Sequence, residues 1–334
     1  MVITIVLLLI ALLLYGYSFL RYRYLWSRGR IPNVVYYVFQ VLLLGTLFVC
    51  LLFSYRIVND YVMLGVQFIC DIYLTVMLLT PFFCLCRGAI RMLGKHFQWK
   101  NVVYRFFNHP SKSSKIVLGI TLALGVGVFV QSKIPRVFEN TVHIEKTAST
   151  VSLTVATVSD LQIGRHMTRF EIRKFFEQLE QLQPDLVVLN GNFYSYPANP
   201  SLREFTKGYL KKLVSEVPVY LIEGPNEVKE TENSLEEIEN VGVRLLRDET
   251  IQTAEGIQLI GCRNQENEKR RQVSYTFTLT DKNKPAILFS YQDLSEEEKR
   301  AADYDVLLSA TPNRRNWFMP KQIQLTRLQF TELD

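Results

Sequence analysis

Long apolar runs dominate the first 131 residues of this 334-residue chain and limit what that part can fold into. Three runs, at residues 2–20, 34–55 and 62–86, are long enough for a helix to cross a hydrocarbon layer, which needs roughly 20 apolar residues. A fourth run, residues 116–131, is shorter but has no internal charge and follows a basic cluster. The sequence therefore predicts an all-α transmembrane region of about four helices over residues 1–132.

The loops between these runs differ in positive charge, which predicts an orientation. Arginine and lysine are concentrated in the first and third loops, whereas the loop at 56–61 contains only Arg56. Because cytoplasmic loops carry the excess of basic residues, the first and third loops are expected in the cytoplasm. If 116–131 crosses, as we expect, the rest of the chain is extracytoplasmic; if that segment lies on the membrane surface, the rest is cytoplasmic. The prediction is a multi-pass protein of the cell (inner) membrane that begins without a removable signal peptide.

The placement of charged residues limits the functions that are expected of this chain. Asp71 lies within the third apolar run, where a carboxylate is costly, and we interpret it as hydrogen-bonded to Gln67 or a neighbouring helix, leaving its role open. No chain of further charges continues from it, so a transporter is not expected. Much of the net charge of +6 sits in the two basic loops, and the second half lacks a basic stripe with interleaved aromatics. The lipid bilayer is therefore an expected partner and nucleic acid is not.

The second half, residues 133–334, has the pattern of a folded α/β domain large enough to bury its own core. Thr168 and Glu171 form a capping-box pattern that predicts the start of a helix ending near residue 182. Alternating strands and helices come first, and closely spaced strands follow them, which favours a mixed sheet or a two-sheet sandwich flanked by helices. The predicted strands are 152–158, 185–189, 217–222, three short ones between 243 and 262, 273–279, 286–290, 305–309 and 322–330; two further helices are predicted at 201–215 and 234–240.

Five short phrases at the predicted strand ends carry a family resemblance. They resemble, in order, the motifs DxH, GD, GNH(D/E), a lone His and GHxH of the calcineurin-like metallophosphoesterases, particularly their bacterial membrane-anchored branch. The resemblance covers roughly residues 142–313 and implies an α/β (α+β) two-sheet sandwich flanked by helices. The phrases are VSDLQIG (158–164), DLVVLNGN (185–192), VYLIEGPNE (219–227), ILFSY (287–291) and YDVLLSATPN (304–313).

The resemblance also implies a metal centre that these residues depart from. In that family two divalent ions, bridged by an aspartate and held by histidines, generate hydroxide and stabilise the transition state. Here no histidine occurs after residue 166, and neutral amides are poor ligands for such a pair. We therefore predict no catalytic residue, no bound metal and no other cofactor; if the chain were active, two divalent ions would be needed. The vestigial ligand positions are Asp160, Gln162, Asn192, Asn226, Tyr291, Thr311 and Asn313.

Three smaller hypotheses concern residues around these positions. Asp160 and Glu227 could hold a single hard cation through oxygen ligands, although a structural hydrogen-bonding role for Asp160 is favoured. Arg314 and Arg315 could form an anion-binding cleft, although exposed loop arginines are commoner. His166 is interpreted as a solvated loop residue.

The leading functional hypothesis is a catalytically inactive, membrane-anchored protein that binds a partner protein or an anionic ligand at the cell envelope. The first alternative is a metal-dependent phosphoesterase with a remodelled site. The second is a structural membrane subunit whose function depends on its helices.

Overall fold

The computed structural model describes residues 59–98, 110–146, 151–164, 167–229, 232–271, 280–310 and 321–331, with single residues and short stretches between 16 and 56. The chain divides into two compact units. One comprises Met1–Phe53 with Tyr61–Ser132, and the other comprises Ser54–Asp60 with Lys133–Asp334.

Two long apolar helices are described in the first unit. Helix α1 spans Asp60–His96 and helix α2 spans Pro110–Ser132. By length and composition both helices could cross a membrane. They contain the predicted spans 62–86 and 116–131.

Two other predicted spans are described only in small part, and one predicted loop boundary differs from the structure. The spans 2–20 and 34–55 lie largely outside the described residues, of which 16–18, 20, 38 and 40–45 are helical. The sequence predicts that the third loop begins directly after the span 62–86, but α1 continues for ten residues beyond Cys86. Arg87 therefore lies on a helix, where it is buried.

Residues of the second unit form two mixed β-sheets. The six-stranded sheet has the order β1-β10-β2-β3-β4-β5, and β2 to β5 run parallel to one another. Its strands are β1 (Arg136–Glu145), β2 (Val151–Val158), β3 (Leu186–Asn190), β4 (Val219–Ile222), β5 (Arg244–Leu245) and β10 (Gln322–Thr331). The four-stranded sheet has the order β6-β7-β8-β9, with strands β6 (Glu249–Gln252), β7 (Gln258–Gly261), β8 (Ala286–Ser290) and β9 (Val306–Ser309).

The two sheets pack face to face over an apolar core. Alternate residues of each strand point to opposite faces, so one face of β2 supplies Leu153 and Val155 to this core. Ile287 and Phe289 of β8 meet them from the second sheet. Asn190 also joins the sheets, because its Nδ2 donates to the carbonyl oxygens of Ser290 (3.2 Å) and Leu308 (3.1 Å).

Helices cover the opposite faces, as the amphipathic patterns predict. Helix α3 begins after Thr168 with the predicted capping box, in which the Thr168 hydroxyl accepts from the Glu171 amide and Glu171 accepts from the Thr168 amide. Phe175 and Phe176 of α3 are fully buried against the six-stranded sheet. The helices are α3 (Arg169–Gln181), α4 (Pro200–Glu216), α5 (Pro225–Lys229), α6 (Glu232–Glu239) and α7 (Glu296–Ala301).

Two features of the sheets depend on long-range pairing that the sequence did not predict. Strand β1 was not predicted, because it is mostly exposed and its partner β10 is almost two hundred residues away in the chain. Strands β5 and β6 lie within the three short strands predicted between 243 and 262, but they belong to different sheets. The predicted strand 273–279 lies outside the described residues.

Candidate functional site

The structure brings four of the predicted ligand positions together at one edge of the sheets. Asp160, Asn192 and Asn226 follow the carboxyl ends of β2, β3 and β4, which are parallel and therefore end at the same edge. Tyr291 follows β8 of the second sheet. This edge is where a ligand is expected in a sheet of this kind.

Hydrogen bonds join three of these side chains in a closed triangle. The Asn192 Nδ2 donates to Asp160 Oδ1 and to the Tyr291 hydroxyl, each at 2.7 Å. The Tyr291 hydroxyl donates to the same Asp160 oxygen at 2.9 Å. Each group donates as many hydrogen bonds as it has hydrogens, since an amide nitrogen carries two and a phenol oxygen carries one. The triangle therefore consists of two uncharged donors and one carboxylate at the edge of the two sheets.

The backbone around the triangle adopts left-handed conformations. Asp160, Gln162 and Asn192 have φ values of 54°, 50° and 52°. The two loops are held together because Asp160 N donates to Gly191 O (3.0 Å) and Gln162 N donates to Asn192 O (2.9 Å). A Cβ at Gly191 would collide with the Tyr291 ring, so this position requires glycine.

Glu227 holds together the loops that follow β3 and β4. Its two carboxylate oxygens accept hydrogen bonds from the backbone amides of Asn192 (2.7 Å), Phe193 (2.8 Å) and Gly224 (2.9 Å). The adjacent Asn226 amide donates to Asn192 Oδ1 at 2.9 Å, which fixes the orientation of the Asn192 side chain. Glu227 thus serves as a loop anchor, and the hypothesis that it shares a single cation with Asp160 stays a prediction.

Burial changes the acidity of Glu227. Desolvation is the largest effect and raises its pKa from 4.5 to about 7, and the backbone hydrogen bonds oppose that shift by stabilising the anion. The carboxyl group therefore titrates near neutral pH.

A lysine close to the triangle was not identified from the sequence. The Lys321 ammonium lies 3.5 Å from the carbonyl oxygen of Asp160, just before β10 begins. Lys321 is partly exposed as a residue, but protein atoms surround its ammonium, and the resulting desolvation lowers its pKa to about 8. The charges of Glu171 and Asp160 oppose that shift, and Lys133, which pairs with Glu171 at 2.9 Å, reinforces it. Only tertiary structure could reveal this contact, because 161 residues separate Lys321 from Asp160.

The donor set does not fit a pair of divalent metal ions. The Asn192 nitrogen presents hydrogens to Asp160, whereas a bridging ligand must present a charged oxygen. The Asn226 Nδ2 donates to the Tyr194 carbonyl at 2.9 Å, an arrangement that serves the loop. Among the described residues, no three His, Cys, Asp or Glu side chains lie close enough to share a metal ion. The remaining predicted positions, Thr311, Asn313, Arg314, Arg315 and His166, lie outside the described residues.

Replacing Asn192 by aspartate tests the triangle. The new carboxylate would face Asp160 Oδ1 across the present 2.7 Å contact, and two carboxylates that close raise the pKa of one of them. We expect the Tm of Asn192→Asp to fall by several degrees at pH 8, since each kcal/mol shifts Tm by about 2–4 °C in a domain of this size. This difference in Tm from the unsubstituted chain should shrink at pH 5, where the two carboxylates share a proton. Asn192→Ala is the control and should lose stability equally at both pH values; an Asn192→Asp deficit that does not vary with pH would contradict this account.

Glu227 should make stability pH-dependent. Because its folded pKa is raised, the folded state binds more protons than the unfolded state between about pH 4.5 and 7. The free energy of unfolding should therefore decline as pH rises through this window, by up to about 3 kcal/mol, and level off above it. Glu227→Gln should lack this decline, although it loses stability overall because an amide cannot accept all three backbone bonds. Denaturation of the two proteins across a pH series measures the difference, and parallel profiles would exclude the effect.

Two solved structures resemble the chain at low identity: that of the Pseudomonas putida nuclease MPE, with 13% identity and a TM-score of 0.25, and a second with 14% identity and a TM-score of 0.30. The first match covers 40% of this chain and 59% of the nuclease chain, and the second covers 44% and 72%. No curated protein matches the sequence. The family model for calcineurin-like phosphoesterases matches residues 153–331, more than half of the chain. With two mixed sheets and a polar cluster at their shared edge, the chain belongs to the calcineurin-like phosphoesterase family.

Proposed function

We propose that this chain is a membrane-anchored, catalytically inactive member of its family, which acts by binding a partner protein or an anionic ligand at the cell envelope. The observation that carries the proposal is the Asn192 side-chain amide, which donates to both Asp160 and Tyr291. The proposed division of the chain is a membrane region over residues 1–132 and a binding domain over 133–334.

The chemistry of the triangle opposes metal-dependent hydrolysis. Two dications repel one another, and a bridging carboxylate offsets that repulsion; the neutral Asn192 supplies no such charge. A cation bound to Asp160 Oδ1 would also have to displace the amide nitrogen and the phenol that now contact this oxygen. Each displaced buried donor would lose a partner at a cost of about 1–3 kcal/mol. A phosphoesterase with a remodelled site is therefore the weaker candidate.

The site can still support binding, because its loops are rigidly held without metal. Glu227 fixes the loops after β3 and β4 through three backbone bonds, and Asn192 connects them to the loops after β2 and β8. A preorganised surface loses less conformational entropy when a partner binds. This argument favours a binding role over a purely structural membrane subunit.

Metal content and hydrolysis distinguish the binding and enzyme proposals. We expect the purified full chain, dialysed against manganese and then desalted, to retain less than one equivalent of metal and to leave bis(p-nitrophenyl) phosphate uncleaved. Elemental analysis and absorbance at the nitrophenolate band measure these outcomes. Asp160→Asn is the matched variant, since any true metal-dependent turnover must fall sharply in it. Turnover that requires manganese and disappears in Asp160→Asn would overturn the proposal.

The membrane part of the proposal rests on α1 and α2 and on the distribution of basic residues. We propose that the chain crosses the membrane several times and that residues 133–334 lie outside the cytoplasm. An alkaline phosphatase fused after Ser132 should then be active, and a green fluorescent protein fused at the same position should be dark. The reverse pair of results would place the domain in the cytoplasm. Matching fusions within residues 99–109, which are expected on the cytoplasmic side, provide a control with the opposite expected result.

A further inference from the structure

Strand β1 ends the six-stranded sheet, and in the part of the chain that the structure describes no strand pairs with its outer edge. The strand is ten residues long and contains neither proline nor glycine. Natural sheets usually protect such edges with prolines, bulges or short strands, because an open edge is a template for another strand. This strand has no proline and pairs with β10 without a bulge, and the devices that it does contain are the charged side chains of Arg136, Glu139 and Glu145.

The hydrogen bonds to β10 show which backbone groups of β1 face outward. Arg136 N donates to Lys321 O and Lys146 N donates to Thr331 O, so the even-numbered residues direct their backbone groups toward β10. Consecutive residues of a parallel pair face opposite edges of the strand. The outward N–H and C=O groups therefore belong to the odd-numbered residues, which are Val137, Glu139, Thr141, His143 and Glu145.

We infer that this edge binds the same edge of a second copy of the chain, antiparallel and with Thr141 opposite Thr141. In an antiparallel pair, two opposed residues exchange hydrogen bonds only when the backbone groups of both point to the shared edge. The outward, odd-numbered residues of one copy must therefore lie opposite odd-numbered residues of the other. Centring the pair on Thr141 uses every outward residue of both strands. Five N–H groups from each copy then make ten intermolecular hydrogen bonds and join the two sheets into one.

Side chains on one face of β1 are complementary in this register. Glu139 of each copy lies opposite His143 of the other, and both residues are exposed in the single chain. Glu139 also accepts from Arg327 of its own chain at 3.2 Å, in a pair that is itself about half exposed. A carboxylate opposite an imidazole is a favourable cross-strand pair, whereas like charges would disfavour it. At the centre the two Thr141 side chains form a β-branched pair.

The other face places apolar groups against each other. Phe138 is 47% exposed and lies opposite Ile144 of the second copy, twice in the pair. Ile144 already packs partly against the core between the sheets, so the contact extends that core across the interface. The one like-charge pair is Arg136 opposite Lys146, and Lys146 is neutralised by Asp305 of its own chain at 2.9 Å.

These pairs favour a second copy over an unrelated strand, because they arise in the register that also pairs every outward backbone group. The same register places Val137 opposite Glu145 and Asn140 opposite Val142, which are neutral pairings. The inference does not depend on the proposed loss of catalysis, since β1 lies at the far edge of the sheet from β4 and β5.

A proline substitution tests the hydrogen-bonded edge. Thr141→Pro removes an outward N–H and leaves the pairing with β10 intact, as proline is tolerated on edge strands. We expect the mass of the full chain in detergent, measured by light scattering, to fall from dimer to monomer, with self-association at least about tenfold weaker. Thr141→Val keeps the N–H and should stay dimeric. A monomeric wild-type chain, or a Thr141→Pro variant that dimerises normally, would overturn the inference.

Cysteine cross-linking tests the register even if the proline variant misfolds. Cα atoms of residues 139 and 143 of opposing copies should lie about 5.5 Å apart, within the range that a disulfide can bridge. The double variant Glu139→Cys/His143→Cys should form disulfide-linked dimers on mild oxidation. Each single variant should not, because its two cysteines would lie four residues apart along the ladder, roughly 13 Å. The wild-type chain gives the background from its own cysteines, and equal cross-linking of the single and double variants would reject this register.

Discussion

The side-chain amide of Asn192 is the contact on which the candidate site depends. Its nitrogen donates to Asp160 and Tyr291, and its oxygen accepts from the Asn226 backbone, so one side chain connects the loops after four strands. Three of those strands belong to one sheet and the fourth belongs to the other. Because each hydrogen is used and the amide is uncharged, the loops are held at this edge without the positive charge that a metal pair would supply.

Glu227 complements this arrangement from the buried side. Its carboxylate satisfies three backbone amides that would otherwise be buried without partners, and a buried unsatisfied group costs about 1–3 kcal/mol. The same burial raises its pKa to about 7, so the anchor and the pH response have one physical origin. Lys321 shows the opposite case, in which desolvation of an ammonium lowers its pKa to about 8.

The edge strand β1 is a second surface of this domain at which we infer binding. The edge strand β1 presents five residues with outward backbone groups, and its sequence pairs favourably with itself in one register. Joining two copies there would use no group of the Asn192 triangle, because β10 separates β1 from β2, which Asp160 follows. Dimer formation and ligand binding could therefore occur together.

The sequence by itself determined the family, most strands and the capping box at Thr168, because these depend on local periodicity and on motifs at strand ends. It also identified Asp160, Asn192 and Tyr291 as neighbours through the order of those motifs. It could not show that Asn192 donates to both of the others, that Glu227 holds three backbone amides, or that Lys321 approaches Asp160. Strand β1 was missed for the same reason: a mostly exposed strand has no buried alternation, and its partner is distant in the chain. Tertiary structure alone decided these contacts, since each depends on the direction of a side chain or on the pairing of residues far apart in sequence.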